Sequence, residues 1–248
     1  MTDGPLESAM SEVVFHSVLP VTMLDFPGKL AYTVCTAGCN FRCPICHNRE
    51  LALSLTEGMP EISVSSVIEE IENRDGWIDG VCITGGEPLL QPGLREAIER
   101  FRAAGLAVKL DTNGALPQRL GELLDDKVLD YVAMDIKAPL AAEEYSVASG
   151  VEMKDWLGYL EESVERIKLS GIEYEFRTVC VPGMHTPESI SRIAERLKPC
   201  DRYTLGAFRP MNTLDPEYER KPGPTLTEMD GYLGAARRHL PATTIGNA

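Results

Sequence analysis

The chain has 248 residues, 44% of them hydrophobic, with a formal net charge of −14. That length gives one large α/β domain a core that needs no staples, and the acidic excess excludes nonspecific binding to DNA or RNA, which requires a basic face. No apolar run is long enough to cross a bilayer, so neither a nucleic-acid nor a membrane partner is expected. Seven cysteines, an odd number with no secretory signal expected, argue for a reducing, cytoplasmic compartment rather than for disulfides.

In chain order, residues 31–36 read as a short apolar strand that delivers the chain to Cys39-Asn40-Phe41-Arg42-Cys43-Pro44-Ile45-Cys46. Three thiolates at this spacing can hold three corners of an iron–sulfur cube, and no fourth cysteine follows at the short spacing of a closed four-cysteine cluster. One iron is then left for a substrate, as catalytic metal sites keep an open position. The alternative is a zinc site with His47 as the fourth ligand. Cys35, Cys82, Cys180 and Cys200 stand alone in apolar surroundings and are expected to be buried and inert.

An amphipathic helix follows at 63–73, with Val64, Val67, Ile68 and Ile71 on one face. A strand at 80–84 runs into Gly85-Gly86-Glu87-Pro88, where paired glycines let backbone approach a ligand and a carboxylate can receive an ammonium group. A helix over 92–104 is closed by Gly105. Strands at 106–111, 131–135, 174–181 and 202–208 alternate with helices at 118–124, 157–169 and 188–197. About six βα units imply a parallel sheet, either curved into a partial barrel or doubly wound, and periodicity does not choose between them. The polar motifs fall at the strands' C-terminal ends, where both architectures bind ligands. These are Asp111-Thr112-Asn113-Gly114, which could also be a plain turn, and Asp135-Ile136-Lys137, which could also be a simple salt bridge. Arg177, inside an apolar strand, needs an anionic partner.

The cysteine spacing resembles the signature of the radical S-adenosylmethionine (radical SAM) enzymes, and Gly85-Gly86-Glu87-Pro88 resembles their motif for the cofactor's amino group. Three further strings resemble the glycyl-radical-enzyme activases: 109–114, 131–137, and Glu175-Phe176-Arg177-Thr178 leading to Val181-Pro182-Gly183. Among these the resemblance is nearest to activases of anaerobic (class III) ribonucleotide reductase, and it runs from about Leu24 to Pro210. It implies a partial (β/α)6 TIM-type barrel, one domain over 1–248 with a core at about 24–210 and a C-terminal helical extension at 211–248. It also implies one four-iron, four-sulfur (4Fe-4S) cluster on Cys39, Cys43 and Cys46, with S-adenosylmethionine bound by Gly85, Gly86, Glu87, Pro88, Asp111, Thr112, Asn113, Asp135, Lys137 and Arg177. Related activases hold a monovalent cation at the positions of Asp111, Thr112 and Asp135. Asp25-Phe26-Pro27-Gly28-Lys29 resembles the activases' D-G-P-G-x-R segment, with Phe26 for the glycine and Lys29 for the arginine, which would let Asp25 contact the substrate; a Pro-Gly turn is the competing reading.

The implied reaction is one-electron cleavage of S-adenosylmethionine to a 5′-deoxyadenosyl radical, which takes a glycine α-hydrogen from a glycyl radical enzyme. No catalytic side chain is needed for hydrogen-atom transfer. The absence of extra cysteines between Cys46 and Gly85, other than Cys82, implies an external reductant such as flavodoxin or ferredoxin. The alternative is a radical SAM enzyme acting on a small molecule, whose cofactor motifs would look the same.

Overall fold

A computed structural model describes residues 12–74 and 76–246. Six parallel strands make the body of the sheet: β3 (Ala31–Thr36), β5 (Gly80–Gly85), β6 (Ala107–Thr112), β7 (Tyr131–Asp135), β8 (Glu173–Cys180) and β9 (Tyr203–Ala207). Each joins beside its predecessor on the same side, in the order β3-β5-β6-β7-β8-β9. A doubly wound sheet would reverse direction at a switch point; this one does not. Crossovers that all keep one hand, as such units do, put the helices that link the strands on one face and leave the other to curl into a lumen. The partial barrel is therefore the architecture found.

Its edges are β2 (Ser17–Thr22), antiparallel to β3, and the short β10 (Thr244–Ile245), parallel to β9; among the described residues the two edges do not pair. A separate two-stranded ribbon of β1 (Val14–Phe15) and β4 (Ile62–Ser63) packs beside β3. The helices are α1 (Arg49–Ala52), α2 (Val64–Glu72), α3 (Leu94–Ala103), α4 (Pro117–Asp125), α5 (Ala142–Ser149), α6 (Leu157–Leu169), α7 (Pro187–Leu197) and α8 (Leu226–Arg237). None is long and apolar enough to cross a membrane.

Alternation sorts the strand residues. Val34, Val81, Ile83, Val108, Leu110 and Val132 face outward and are wholly buried with the apolar stripes of α2, α3, α4, α6 and α7. At about 1.5–3 kcal/mol for each fully buried aliphatic side chain, this layer supplies most of the driving force. Inward, the first lumen layer is Ala31, Ala107, Tyr131 and Ala133, plugged by Phe26. The Phe26 ring lies 5.9 Å from that of Tyr131, and a Cβ on Gly80 would come within 3.1 Å of it. Asp25-Phe26-Pro27-Gly28-Lys29 is thus a floor for the barrel as well as a turn, with Gly28 at φ +75°.

Some elements differ from the sequence expectation. The C-terminal segment is not helical alone, since after α8 it returns to the sheet as β10. β2 carries Pro20, which hid it; as an edge strand it tolerates a residue without an N–H. Cys82 and Cys180 are buried, whereas Cys35 and Cys200 are only partly so. Gly105, at φ +82°, closes α3 as expected.

Candidate active site

The loop between β3 and α1 carries the three cysteines and is tied down from several sides. Gly38 N–H donates to the Leu51 carbonyl at 2.8 Å, and Cys46 N–H donates to the Cys43 carbonyl at 3.0 Å. Phe41, 1% exposed, packs its ring 6.4 Å from those of Tyr145 and Trp156. Arg42 N–H donates to the Ser149 carbonyl at 2.7 Å, and its guanidinium reaches back to the Cys39 and Phe41 carbonyls at 2.6 and 2.7 Å. The loop is thus seated on α5, a helix the sequence reading missed because Ala142–Ser149 lacks a continuous apolar stripe. All three thiols reach the wall of one cavity of about 230 Å³ at the C-terminal ends of the strands. Burial pushes each of them up, Cys43 to about 12.

Gly85 and Gly86 form the facing wall. Gly85 has φ +119°, and a Cβ there would stand 2.4 Å from the Thr36 carbonyl; on Gly86 it would stand 2.0 Å from the Gly38 carbonyl. Only glycine lets these backbones meet. Asn48 Nδ2 donates to the Gly85 carbonyl at 3.1 Å. Glu87 behaves differently from the expectation that it faces a ligand. Its carboxylate is 1% exposed and turned behind the wall. There Oε1 accepts from Leu89 N–H at 3.1 Å and the Thr112 hydroxyl at 2.8 Å, while Oε2 accepts from Asn113 N–H at 2.8 Å. Burial pushes its pKa up to about 7 against those hydrogen bonds. Glu87 therefore fastens β5 to the end of β6, and Pro88, buried, opens the short turn behind it.

A ladder of alternating charge crosses the lumen. Lys109 pairs with Asp111 Oδ1, Arg177 Nη2 lies 3.1 Å from Asp111 Oδ2, Arg177 Nε lies 2.9 Å from Asp135 Oδ1, and Lys137 Nζ lies 2.8 Å from Asp135 Oδ2. The register Asp135↔Arg177 brings the middle rungs level. Burial works to raise the Asp135 pKa, but Arg177 and then Lys137 override it and hold the carboxyl well below the usual range. Asn113 Nδ2 donates to Asn40 Oδ1 at 2.8 Å, joining β6 to the cysteine loop.

The cavity wall therefore unites Cys39, Cys43 and Cys46 with Gly85, Gly86, Asp111, Thr112, Asn113, Asp135, Lys137 and Arg177. Glu87 and Pro88 stand behind it. Asp25 is not on it: it accepts from the Thr33 hydroxyl at 2.7 Å, beside the barrel floor. The sequence reading missed Asn48, which follows the last cysteine by two residues, and Lys109, whose signal was a cation alternating with Asp111 in an apolar strand.

The model of the radical SAM superfamily matches residues 33–197. The chain belongs to the radical SAM superfamily. This radical SAM protein is 30% identical over 237 residues to a protein of Methanocaldococcus jannaschii provisionally named a glycyl-radical enzyme activating enzyme, a match covering 94% of this chain and 96% of the other. It is 35% identical over 132 residues to a 7-carboxy-7-deazaguanine synthase of Methanopyrus kandleri, covering 46% of this chain and 52% of the other. It is 33% identical over 134 residues to a pyruvate formate-lyase-activating enzyme of Staphylococcus epidermidis, covering 49% and 52%. In fold it is similar to a radical SAM methyltransferase from Sphaerobacter thermophilus, with TM-score 0.67 at 15% identity over 90% of this chain and 67% of that one.

The cofactors of this radical SAM enzyme are a 4Fe-4S cluster and S-adenosylmethionine, and the cavity fits both. Three thiols share its wall, and Gly85 and Gly86 form a cradle that a Cβ would fill. The glycine wall admits a ligand's polar end, and the charge ladder offers cations to a carboxylate. A zinc site finds no such fit. His47 Nε2 is 2.9 Å from the Arg209 carbonyl and its ring is stacked on Phe208. Among the described residues no three His, Cys, Asp or Glu side chains converge on one ion, a convergence that thiolates each taking a different iron do not need.

Proposed function

We propose that this enzyme activates a glycyl radical enzyme by removing a hydrogen atom from a glycine α-carbon, and that its partner is an anaerobic (class III) ribonucleotide reductase. The observation that carries the activase reading is the match to the Methanocaldococcus jannaschii protein along nearly the whole of both chains. A partial match would report cofactor binding alone. The overall resemblance, nearest among the activases to those of class III ribonucleotide reductase, supports the narrower choice of partner.

When bound, the cluster and S-adenosylmethionine supply one-electron cleavage of a sulfonium and with it the power to take hydrogen from carbon. The chain's own part is to bind, orient and exclude water. Cys39, Cys43 and Cys46 hold three irons. The Gly85–Gly86 backbone cradles the amino end of S-adenosylmethionine, and Lys137 and Arg177 attract its carboxylate. Thr112 and Asn113, fastened by Glu87, hold the other end of the cofactor's wall. No side chain transfers a proton in this step, so each charged group acts by positioning. Electrons come from an external flavodoxin or ferredoxin. The unpaired barrel edge offers a protein partner apolar surface: along and after β2, Leu19, Val21, Met23 and Leu24 are exposed, a run that descends the edge from the cavity end toward the barrel floor.

The test mixes the reduced, cluster-loaded protein with S-adenosylmethionine and a class III ribonucleotide reductase from the same organism. Electron paramagnetic resonance should show a glycine α-hydrogen doublet that disappears when the target glycine is replaced by alanine. Robust cofactor cleavage with no protein radical on any glycyl radical enzyme of that organism would overturn the activase reading. It would favour the second one, action on a small purine-like molecule, which the partial likeness to 7-carboxy-7-deazaguanine synthase supports.

A further inference from the structure

Lys109 is the one charged group of the ladder that the cavity does not reach. It is 1% exposed and lies one layer below the cavity, off its wall. Its Nζ stands 5.9 Å above the centre of the Tyr131 ring and 3.7 Å from Cys82 Sγ, and its ion-pair partner is Asp111. A lysine so desolvated keeps its charge only beside an anion. Burial works to lower its pKa, and the Asp111 carboxylate overrides that and holds it raised.

Every carboxylate oxygen at these strand ends already has a cation. Asp111 Oδ1 faces Lys109 and Oδ2 faces Arg177, while Asp135 Oδ1 faces Arg177 and Oδ2 faces Lys137. The Thr112 hydroxyl is donated to Glu87. The three residues that the resemblance assigns to a monovalent metal cation therefore offer it no free acidic oxygen, and a guanidinium lies between the two carboxylates. Arg177 and Lys137 reach the cavity and can share their charge with a ligand's carboxylate. Lys109 cannot, so it remains on Asp111 whatever the cavity holds.

We propose that Lys109 is the resident cation of this site, a positioning residue that fixes Asp111 from below, so that the strand-end carboxylates orient S-adenosylmethionine without a bound metal cation. The inference rests on the reading that S-adenosylmethionine lies over these strand ends.

The test measures equilibrium binding of S-adenosylmethionine to the anaerobic, cluster-loaded protein, unreduced, in choline, sodium and potassium chloride at equal ionic strength. Wild type should bind within twofold in all three salts. Lys109→Met, neutral and of similar size, and Lys109→Ala, which leaves room for an ion, should each bind at least tenfold more weakly in choline. Potassium should restore Lys109→Ala but not Lys109→Met. Thermal unfolding in the same salts gives an independent readout, with the midpoint rising in potassium for Lys109→Ala alone. The proposal is overturned by wild-type binding at least tenfold tighter in potassium than in choline. It is equally overturned by Lys109→Met binding like wild type, or by Lys109→Ala remaining weak in every salt, which would make the lysine merely structural. If neither variant folds, the wild-type salt series alone decides. Wild type that binds no S-adenosylmethionine in any salt would instead sink the functional reading.

Discussion

Replacing Glu87 by Gln probes the fastening between β5 and β6 through its pH dependence. The carboxyl sits wholly inside the protein and its pKa is pushed from 4.5 up to about 7 by burial. The folded state therefore binds the proton more tightly than the unfolded chain. That contribution to stability is fully present below about pH 4.5 and is lost as pH rises through about 7. At about 1.4 kcal/mol per pKa unit, the loss between pH 5.5 and 8.5 comes to about 2 kcal/mol. Gln cannot ionise and lacks this slope. It also presents an NH2 where one carboxylate oxygen accepted, so either Asn113 N–H or the pair of Leu89 N–H and the Thr112 hydroxyl loses its acceptor. A buried donor left unpaired costs about 1–3 kcal/mol. The variant should thus be less stable than wild type at pH 5.5 and should close most or all of that gap by pH 8.5. Urea unfolding of the cluster-free, thiol-reduced protein at several pH values measures it. Parallel stability curves, or a gap that widens with pH, would refute the reasoning.

Cys43→Ala should bind no normal cluster by iron and sulfide analysis after anaerobic reconstitution, whereas Cys82→Ala and Cys200→Ala should keep it; a full complement in Cys43→Ala would sink the cluster assignment. Gly86→Ala puts a Cβ 2.0 Å from the Gly38 carbonyl, which forces the two walls of the cavity apart. Equilibrium dialysis should show S-adenosylmethionine held at least tenfold more weakly, and unchanged affinity would remove the cradle from the account. Phe26→Ala empties the barrel floor and should cost about 3–5 kcal/mol in denaturant unfolding; a loss below about 1 kcal/mol would mean that Phe26 is not a plug.

The alternation of strands and helices, and the boundaries of β3, β5 and β7 to within one residue, were legible because apolar periodicity and glycine punctuation are local properties of the chain. So was the cysteine loop, whose three thiols lie within eight consecutive residues and meet one cavity whatever the rest of the sheet does. α5 escaped because it is held by tertiary contact through Phe41 and Ser149 rather than by an apolar stripe of its own. β10 escaped because two residues carry no periodicity, and only the edge of β9 makes them a strand.

Residue types and spacing alone determined that thiols, paired glycines and strand-end charges would gather at one end of a parallel α/β sheet. They could not decide whether that sheet curls, because period-two alternation marks two faces without saying which one the helices cover. The order in which strands join decided it. Nor could they direct Glu87, whose Gly-Gly turn permits either side; the Asn113 N–H and Thr112 hydroxyl at the end of β6 drew its carboxylate behind the cavity wall. Asp111 and Arg177, far apart in the chain, meet only because β7 stands between β6 and β8 at a register that sets Arg177 level with Asp135, one inward-facing position beyond Asp111. A buried charge is tolerable only where its partner is already held, and that holding is a property of the assembled barrel.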